Sequence, residues 1–416
     1  MPKYISFQKA LATFLVFSIF STAYLISFPL KINAAIETYG WTRTIGWNNI
    51  EVGRDIAADS QGNVYTVGEF VSTNVEFNTT GSGSSDIKSS NGTRDIFITK
   101  YNSDGSYGWT RTIGGTDEDS ASSVTTDKYD NIYFTGSFSG TNINFNTTGS
   151  GGTDLKSSNG SNDIFITKYN SDGSYGWTRT MGGASWDRGE AITTDNEGNI
   201  YIGGFFRTAN VDFNTTGEGA PDLKSSSSNS LDIFITKYNF DGSYGWTYTI
   251  GSFAADTAFA VATDSIGNVF LAGYFHGSDV EFNTTGSGSS DLKSSNGYGD
   301  IFITKYNSDG SYSWTRTMGG SIGHDICYGL AIDSVGNVYI TGYFKGIDVE
   351  FNTTGSGSSD FHSSTGEGNI FITKYNSNGG YGWTRTMGGD IGGMLNEDTG
   401  YAIRTDNLDG SRLDNL

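Results

Sequence analysis

The chain has 416 residues, with 45 acidic against 25 basic side chains, a formal charge of −20, 59 glycines, 3 prolines and one cysteine. That charge repels phosphate backbones and sets nucleic acid aside as a partner. A single cysteine excludes an internal disulfide, and 14% aromatic residues exclude a disordered chain, so the fold rests on packing and hydrogen bonds.

At the N-terminus, Lys3 and Lys9 flank the start of a mostly apolar run from Ala10 to Leu30, and Lys31-Ile-Asn-Ala-Ala35 follows. The pattern predicts a signal peptide over residues 1–34, cleaved after Ala34. The alternative is an uncleaved anchor, because about 20 apolar residues span a bilayer. In either case the lysines stay inside, and the remainder is secreted or held at the cell surface. Removing residues 1–34 takes away three lysines, leaving 22 basic against 45 acidic residues, or −23, and after cleavage no membrane contact is expected.

Residues 35–416 are one architecture. Trp41, Trp109, Trp177, Trp246, Trp314 and Trp383 recur at spacings of 68, 68, 69, 68 and 69 residues, each followed by Thr-Arg-Thr or Thr-Tyr-Thr. Such a period marks one supersecondary unit copied. Each copy divides into four short strands, A to D. In the second copy these are about Ala121 to Thr126, Ile132 to Phe138, Ile164 to Tyr169 and Ser174 to Met181, with a long polar connection between B and C. No stretch has a 3.6-residue period, so no helix is expected here.

Identical four-stranded antiparallel sheets bury their faces most economically by radial stacking. The prediction is therefore an all-β fold, a β-propeller. Five complete blades fall at about 52–112, 120–180, 188–249, 257–317 and 326–386. Tyr39 to Ile45 is a lone strand D and Thr399 to Thr405 a lone strand A, together an incomplete sixth blade. Gly53, Ala121, Gly189, Ala258, Cys327 and Gly400 share one small-residue position in strand A. We read it as crowding at the propeller axis, with Cys327 a small buried residue.

The strings Gly336-Asn-Val-Tyr-Ile-Thr-Gly-Tyr-Phe344, Val349-Glu-Phe-Asn352 and Asp300-Ile-Phe-Ile-Thr-Lys-Tyr-Asn-Ser-Asp-Gly310 resemble the SBBP beta-propeller repeat family. The resemblance covers about residues 39–406. It implies an exported bacterial or archaeal propeller and brings no catalytic residues with it.

One candidate constellation is acidic. Glu51, Asp119, Asp187, Asp256, Asp325 and Asp398 recur eight residues before each A–B turn aspartate, on the D–A loops around one mouth of the channel. Such a ring suits a hard cation such as Ca²⁺ or a cationic ligand group. The competing reading is that each acid caps backbone N–H groups of its own loop. The residue before each acid varies among copies, and Trp186 and His324 there are the expected anchors of a ligand face. Drift in exposed loops would produce the same variation.

Other features carry less. Asn78, Asn146, Asn214, Asn283 and Asn352 match a glycosylation acceptor but are locked to the repeat, so a structural role is expected. Arg111 is expected to pair with Asp95, and Arg179 with Asp163. His276, His324 and His362 occupy three different repeat positions, which argues against a metal-binding cluster or triad. No catalytic residue and no cofactor beyond a calcium ion is expected. The function expected is an extracellular binding or adhesion module for a glycan, surface polymer or protein; the alternatives are a mainly structural surface protein, or a propeller enzyme such as a lyase or glycosidase. N-terminal sequencing of the exported protein is expected to start at Ala35, and a retained Met1 would leave only the anchor.

Overall fold

The computed structural model describes residues 40–389 and 398–405; the predicted signal segment 1–34 lies outside the described residues. Five four-stranded antiparallel sheets follow one another, each in the order A-B-C-D. Blade 2 is representative, with Ser120–Thr126, Ile132–Phe138, Asp163–Tyr169 and Tyr175–Met181 as its strands. The other A strands are Glu51–Ala58, Arg188–Thr194, Thr257–Thr263 and Ile326–Ile332. All five sheets match the expected blades to within a residue or two. The long B–C connection is more ordered than expected, because it holds a small hairpin, Ile143–Asn144 paired with Leu155–Lys156 in blade 2. The helical content among the described residues is a 3₁₀ turn, Ser227–Asn229.

Apolar seams between blades hold the fold together. One seam joins Tyr65, Val67, Ile96, Ile98 and Ile113 of blade 1 to Val124, Ile132, Phe134, Phe138 and Phe165 of blade 2, and three more repeat the arrangement. Each such side chain contributes about 1.5–3 kcal/mol on burial, so a seam outweighs any surface ion pair. Strands B and C are flanked on both sides and are apolar on both faces for that reason.

Two devices, one of close packing and one of hydrogen bonds, set the blade-to-blade register. The indole of Trp109 lies against Gly173 in the C–D turn of the next blade, where φ is +79° and a Cβ would meet Trp109 Nε1 at 3.0 Å; Trp177 with Gly242 and Trp246 with Gly310 repeat this. At the inner edge, Thr126, Thr194 and Thr263 donate their hydroxyls to the carbonyls of Ala58, Thr126 and Thr194 on the preceding strand A, at 2.8–3.0 Å.

The end segments keep these contacts without becoming strands. Trp41 packs on Gly105 as a preceding strand D would, and Thr405 donates to Ile332 O at 2.8 Å as a following strand A would. Among the described residues neither lies in a ladder. Within the described residues 40–45 and 399–405 the expected lone strands D and A are thus not strands but segments in strand-like positions, because no neighbouring strand pairs with them; Tyr39 lies outside the described residues. Met387 is accordingly 48% exposed, whereas Met181 and Met318 at the same place are covered by the next blade.

Two other expectations are corrected. The small-residue position does not face the axis. It packs on strand B of the preceding blade, where a Cβ on Gly189 would collide with Thr135 Oγ1. Cys327 is buried there, its thiol pushed up to about 12 by burial. Arg111 does not pair with Asp95, and Arg179 does not pair with Asp163. The C–D register sets Arg111 opposite Ile98, and each guanidinium lies over the tryptophan two residues earlier, at 5.1 and 5.2 Å.

Every A strand carries a β-bulge at the residue after the small position. The ladder skips Arg54, Ser122, Glu190, Phe259 and Tyr328, and a bulge re-aims the skipped side chain. Opposite each one, strand B has glycine, at Gly68, Gly136, Gly204, Gly273 and Gly342; a Cβ there would overlap the carbonyl oxygen of Val52, Ser120, Arg188, Thr257 or Ile326. Gly204→Ala is therefore expected to destabilise by about 1–3 kcal/mol or more, whereas Gly53→Ala, whose Cβ would meet its nearest neighbour at 4.0 Å, should change little. Denaturant midpoints of the two variants check this.

Candidate functional site

The bulged residues line a cavity of about 400 Å³ along the axis, bounded by the A strands of all five blades and by Tyr401 to Thr405. At its mouth the walls differ in character. On one side Phe259, Tyr328 and Tyr401 form a curved aromatic strip, with ring centroids 5.1 and 5.2 Å apart and planes tilted by 42° and 40°. The facing wall presents Arg54, Ser122 and Glu190.

The polar wall is internally bonded. Arg54 donates Nε to Glu69 Oε2 at 3.0 Å and Nη2 to Glu69 Oε1 at 2.5 Å, and Ser120 Oγ donates to Glu69 at 2.8 Å. Burial opposes ionisation of Glu69, but these bonds outweigh it and hold the carboxyl below its ordinary range. Arg188 lies 3.2 Å from Glu190 and donates to Ser122 Oγ at 3.0 Å. Glu190 is shifted upward by burial, against the pull of Arg188 and Arg54.

Trp186 and His324 both lie on the D–A face, in separate groups. Trp186 meets Phe205 edge-on at 4.9 Å and lines a recess of about 360 Å³ with Arg94, Glu118, Asn162 and Arg188. It therefore adjoins the polar wall through Arg188. His324 contacts the rings of Tyr274 and Tyr298 at 6.3 and 6.0 Å, and Tyr274 stacks on Phe259 at 6.0 Å. This chain of rings continues the aromatic strip outward.

The acids on the D–A loops are placed differently from an open ring at the mouth. Asp119, Asp187, Asp256 and Asp325 are fully buried. Each accepts two backbone N–H bonds, one from its own loop and one from just past strand B: Gly115 and Ser139, Gly183 and Arg207, Ser252 and His276, Gly320 and Lys345, all at 2.6–2.9 Å. Glu51 accepts from Trp47 N and Asp398 from Gly389 N. The carboxylates act as loop caps, and among the described residues no group of three or more His, Cys, Asp or Glu is arranged to hold a metal ion. The asparagines of the glycosylation-like motif are also committed. Asn146 Nδ2 donates to Ser150 O and Gly152 O, and the other four copies repeat the pattern.

The family model described as a beta-propeller repeat, SBBP, matches residues 314–343. The chain is a beta-propeller repeat protein. Over 419 aligned residues the propeller is 25% identical to an uncharacterized WD repeat-containing protein of Acanthamoeba polyphaga mimivirus, covering 86% of this chain and 30% of that protein. It thus spans less than a third of that relative's length. A crystal structure of a protein of unknown function from Bacteroides thetaiotaomicron aligns over 89% of this chain and 95% of its own, at 13% identity and a TM-score of 0.21, too low to bear on the fold. These names are of repeat proteins or of unknown function, and none states a reaction.

Arg54, Glu190, Phe259, Tyr328 and Tyr401 were not singled out from sequence. The signal was available, since they occupy the strand A position after the small residue, where Arg, Ser, Glu, Phe, Tyr and Tyr succeed one another.

The buried caps make stability depend on pH. Burial pushes Asp187 up to about 6, Asp119 and Asp325 up to about 7 and Asp256 up to about 8, against the bonds each accepts from backbone N–H groups. A carboxyl raised above its unfolded value, about 3.9, stabilises fully below that pH, and the contribution is lost as pH rises through 6 to 8. Melting temperature is expected to fall from pH 5 to pH 8. Asp256→Asn should cost about 1–3 kcal/mol by leaving one backbone N–H facing an amide donor, and should flatten the slope. Calcium at matched ionic strength is expected to leave the melting temperature unchanged.

Proposed function

We propose that this propeller works outside the cytoplasm as a ligand-binding module, and that the D–A face at the channel mouth is its binding surface. The observation that carries the reading is the bulged strand A position. The blade bodies are near copies, and this column, aimed by a shared backbone device into a shared cavity, differs in nearly every copy, as do the adjoining Val52, Ser120, Arg188, Thr257 and Ile326 on strand A. Cavity size is also suitable, since ligand sites typically run from about 300 to 1,000 Å³.

Export is supported by the lysine-flanked apolar run ending at Ala34-Ala35. Binding is favoured over turnover by the engagement of the mouth's acids. Asp55 accepts bonds from Ser123 Oγ and Val124 N at 2.7 and 3.0 Å, and Glu190 is tied to Arg188. Both hold the wall in shape.

The test is adhesion of the fluorescently labelled protein to a panel of extracellular polymers and cell-surface proteins. Retention by at least one of them, reduced at least about tenfold in Tyr328→Ala and Glu190→Gln at unchanged melting temperature, is the expected result; hot-spot truncations of this kind cost about 2 kcal/mol. Retention unaffected by both variants would remove the channel mouth as the binding surface.

A further inference from the structure

We infer that the ligand of the channel mouth is a neutral saccharide, stacked on the Phe259–Tyr328–Tyr401 strip and hydrogen-bonded by the opposite wall. The inference rests on the binding reading above and assigns its ligand class.

Three features of the cavity converge on it. First, the charges lining it balance: Arg54 and Arg404 against Asp55 and Glu190. An ionic ligand gains little net attraction there, and at Arg54 or Glu190 it would have to break an existing pair, leaving a charge uncompensated. The chain's charge of −20 further disfavours anionic polymers. Second, paired groups still offer hydrogen bonds to a neutral partner. Arg54 has five N–H donors, of which Nε and Nη2 are bonded to Glu69, and a carboxylate accepts about four bonds. The hydroxyls of Ser122, Thr125 and Thr193 line the same space. Third, the apolar wall is a one-sided strip. Tyr401 is 72% exposed and the two other rings are partly buried, so the strip leaves aromatic surface open to a ligand with an apolar face and a polar rim. A pyranose has both, with C–H bonds on one face and hydroxyls around its edge. A wholly apolar ligand would desolvate the opposite wall without replacing its hydrogen bonds.

The aromatic wall also extends outward through Tyr274 to His324 and Tyr298. A strip of this length suits successive units of an oligosaccharide entering the mouth by one end.

The experiment is calorimetric titration of the full chain with neutral gluco-, manno- and chito-oligosaccharides, an oligogalacturonate, and a tyrosine- and proline-containing peptide. At least one neutral oligosaccharide is expected to bind, with affinity insensitive to added salt. Phe259→Ala and Tyr401→Ala should each weaken it at least about tenfold, the loss of one stacking ring, while Phe361→Ala on a distant B–C hairpin should not. Tyr401→Ala is the variant least able to disturb folding, since the ring is largely exposed, and unchanged melting confirms that for each variant. Binding of the oligogalacturonate alone, or sugar binding untouched by Phe259→Ala and Tyr401→Ala, overturns the assignment. Binding of the peptide at the mouth while every sugar fails also overturns it, and leaves the binding reading standing.

Discussion

In each blade a carbonyl oxygen of strand A occupies the space that a strand B side chain would need. Two atoms cannot share that volume, so strand B carries glycine at positions 68, 136, 204, 273 and 342, and strand A bulges opposite. Much of the functional geometry follows from this. The bulge releases one residue per blade from the ladder and turns it to the axis, where the fold makes no demand on its shape. Arginine, serine, glutamate, phenylalanine and tyrosine are tolerated in turn for that reason. The residue just before the bulge has no such freedom, because it is pressed on the preceding blade and stays small.

A second layer of constraint fixes the loops around the mouth. A buried aspartate at each of four blade junctions gathers N–H groups from two separate segments. The D–A loop is thereby pinned to the end of strand B. Side chains flanking the aspartate, Trp186 and His324 among them, are carried on a held backbone while remaining exposed themselves. Rigid loops with free side chains suit recognition, because less conformational entropy is lost when a ligand is bound.

Much of the architecture was legible in the primary structure because a repeat displays its own alignment. The tryptophan spacing gave the period, apolar residues on both faces of strands B and C gave the stacking, and Asn-x-Asp-Gly gave the C–D turn. What failed had a common cause. The small residues of strand A face the preceding blade and not the axis, and Arg111 faces Ile98 and not Asp95. In each case the recurrence was real but the facing neighbour was misassigned. A bulge shifts register by one residue and so exchanges which side chain points inward. Nothing in composition or spacing marks that shift, although the glycine opposite it is visible in every copy.

The amino-acid sequence by itself determined the all-β repeat, its period, its turns and the residues that vary between copies, because each depends on local pattern and on comparison within one chain. Tertiary structure alone decided which variable residues meet. Phe259, Tyr328 and Tyr401 lie about 70 residues apart in turn along the chain yet form one wall, and Arg54 and Glu190 face them across the axis. Radial stacking brings every strand A to one centre, so residues from all copies converge only once the seams between blades have closed.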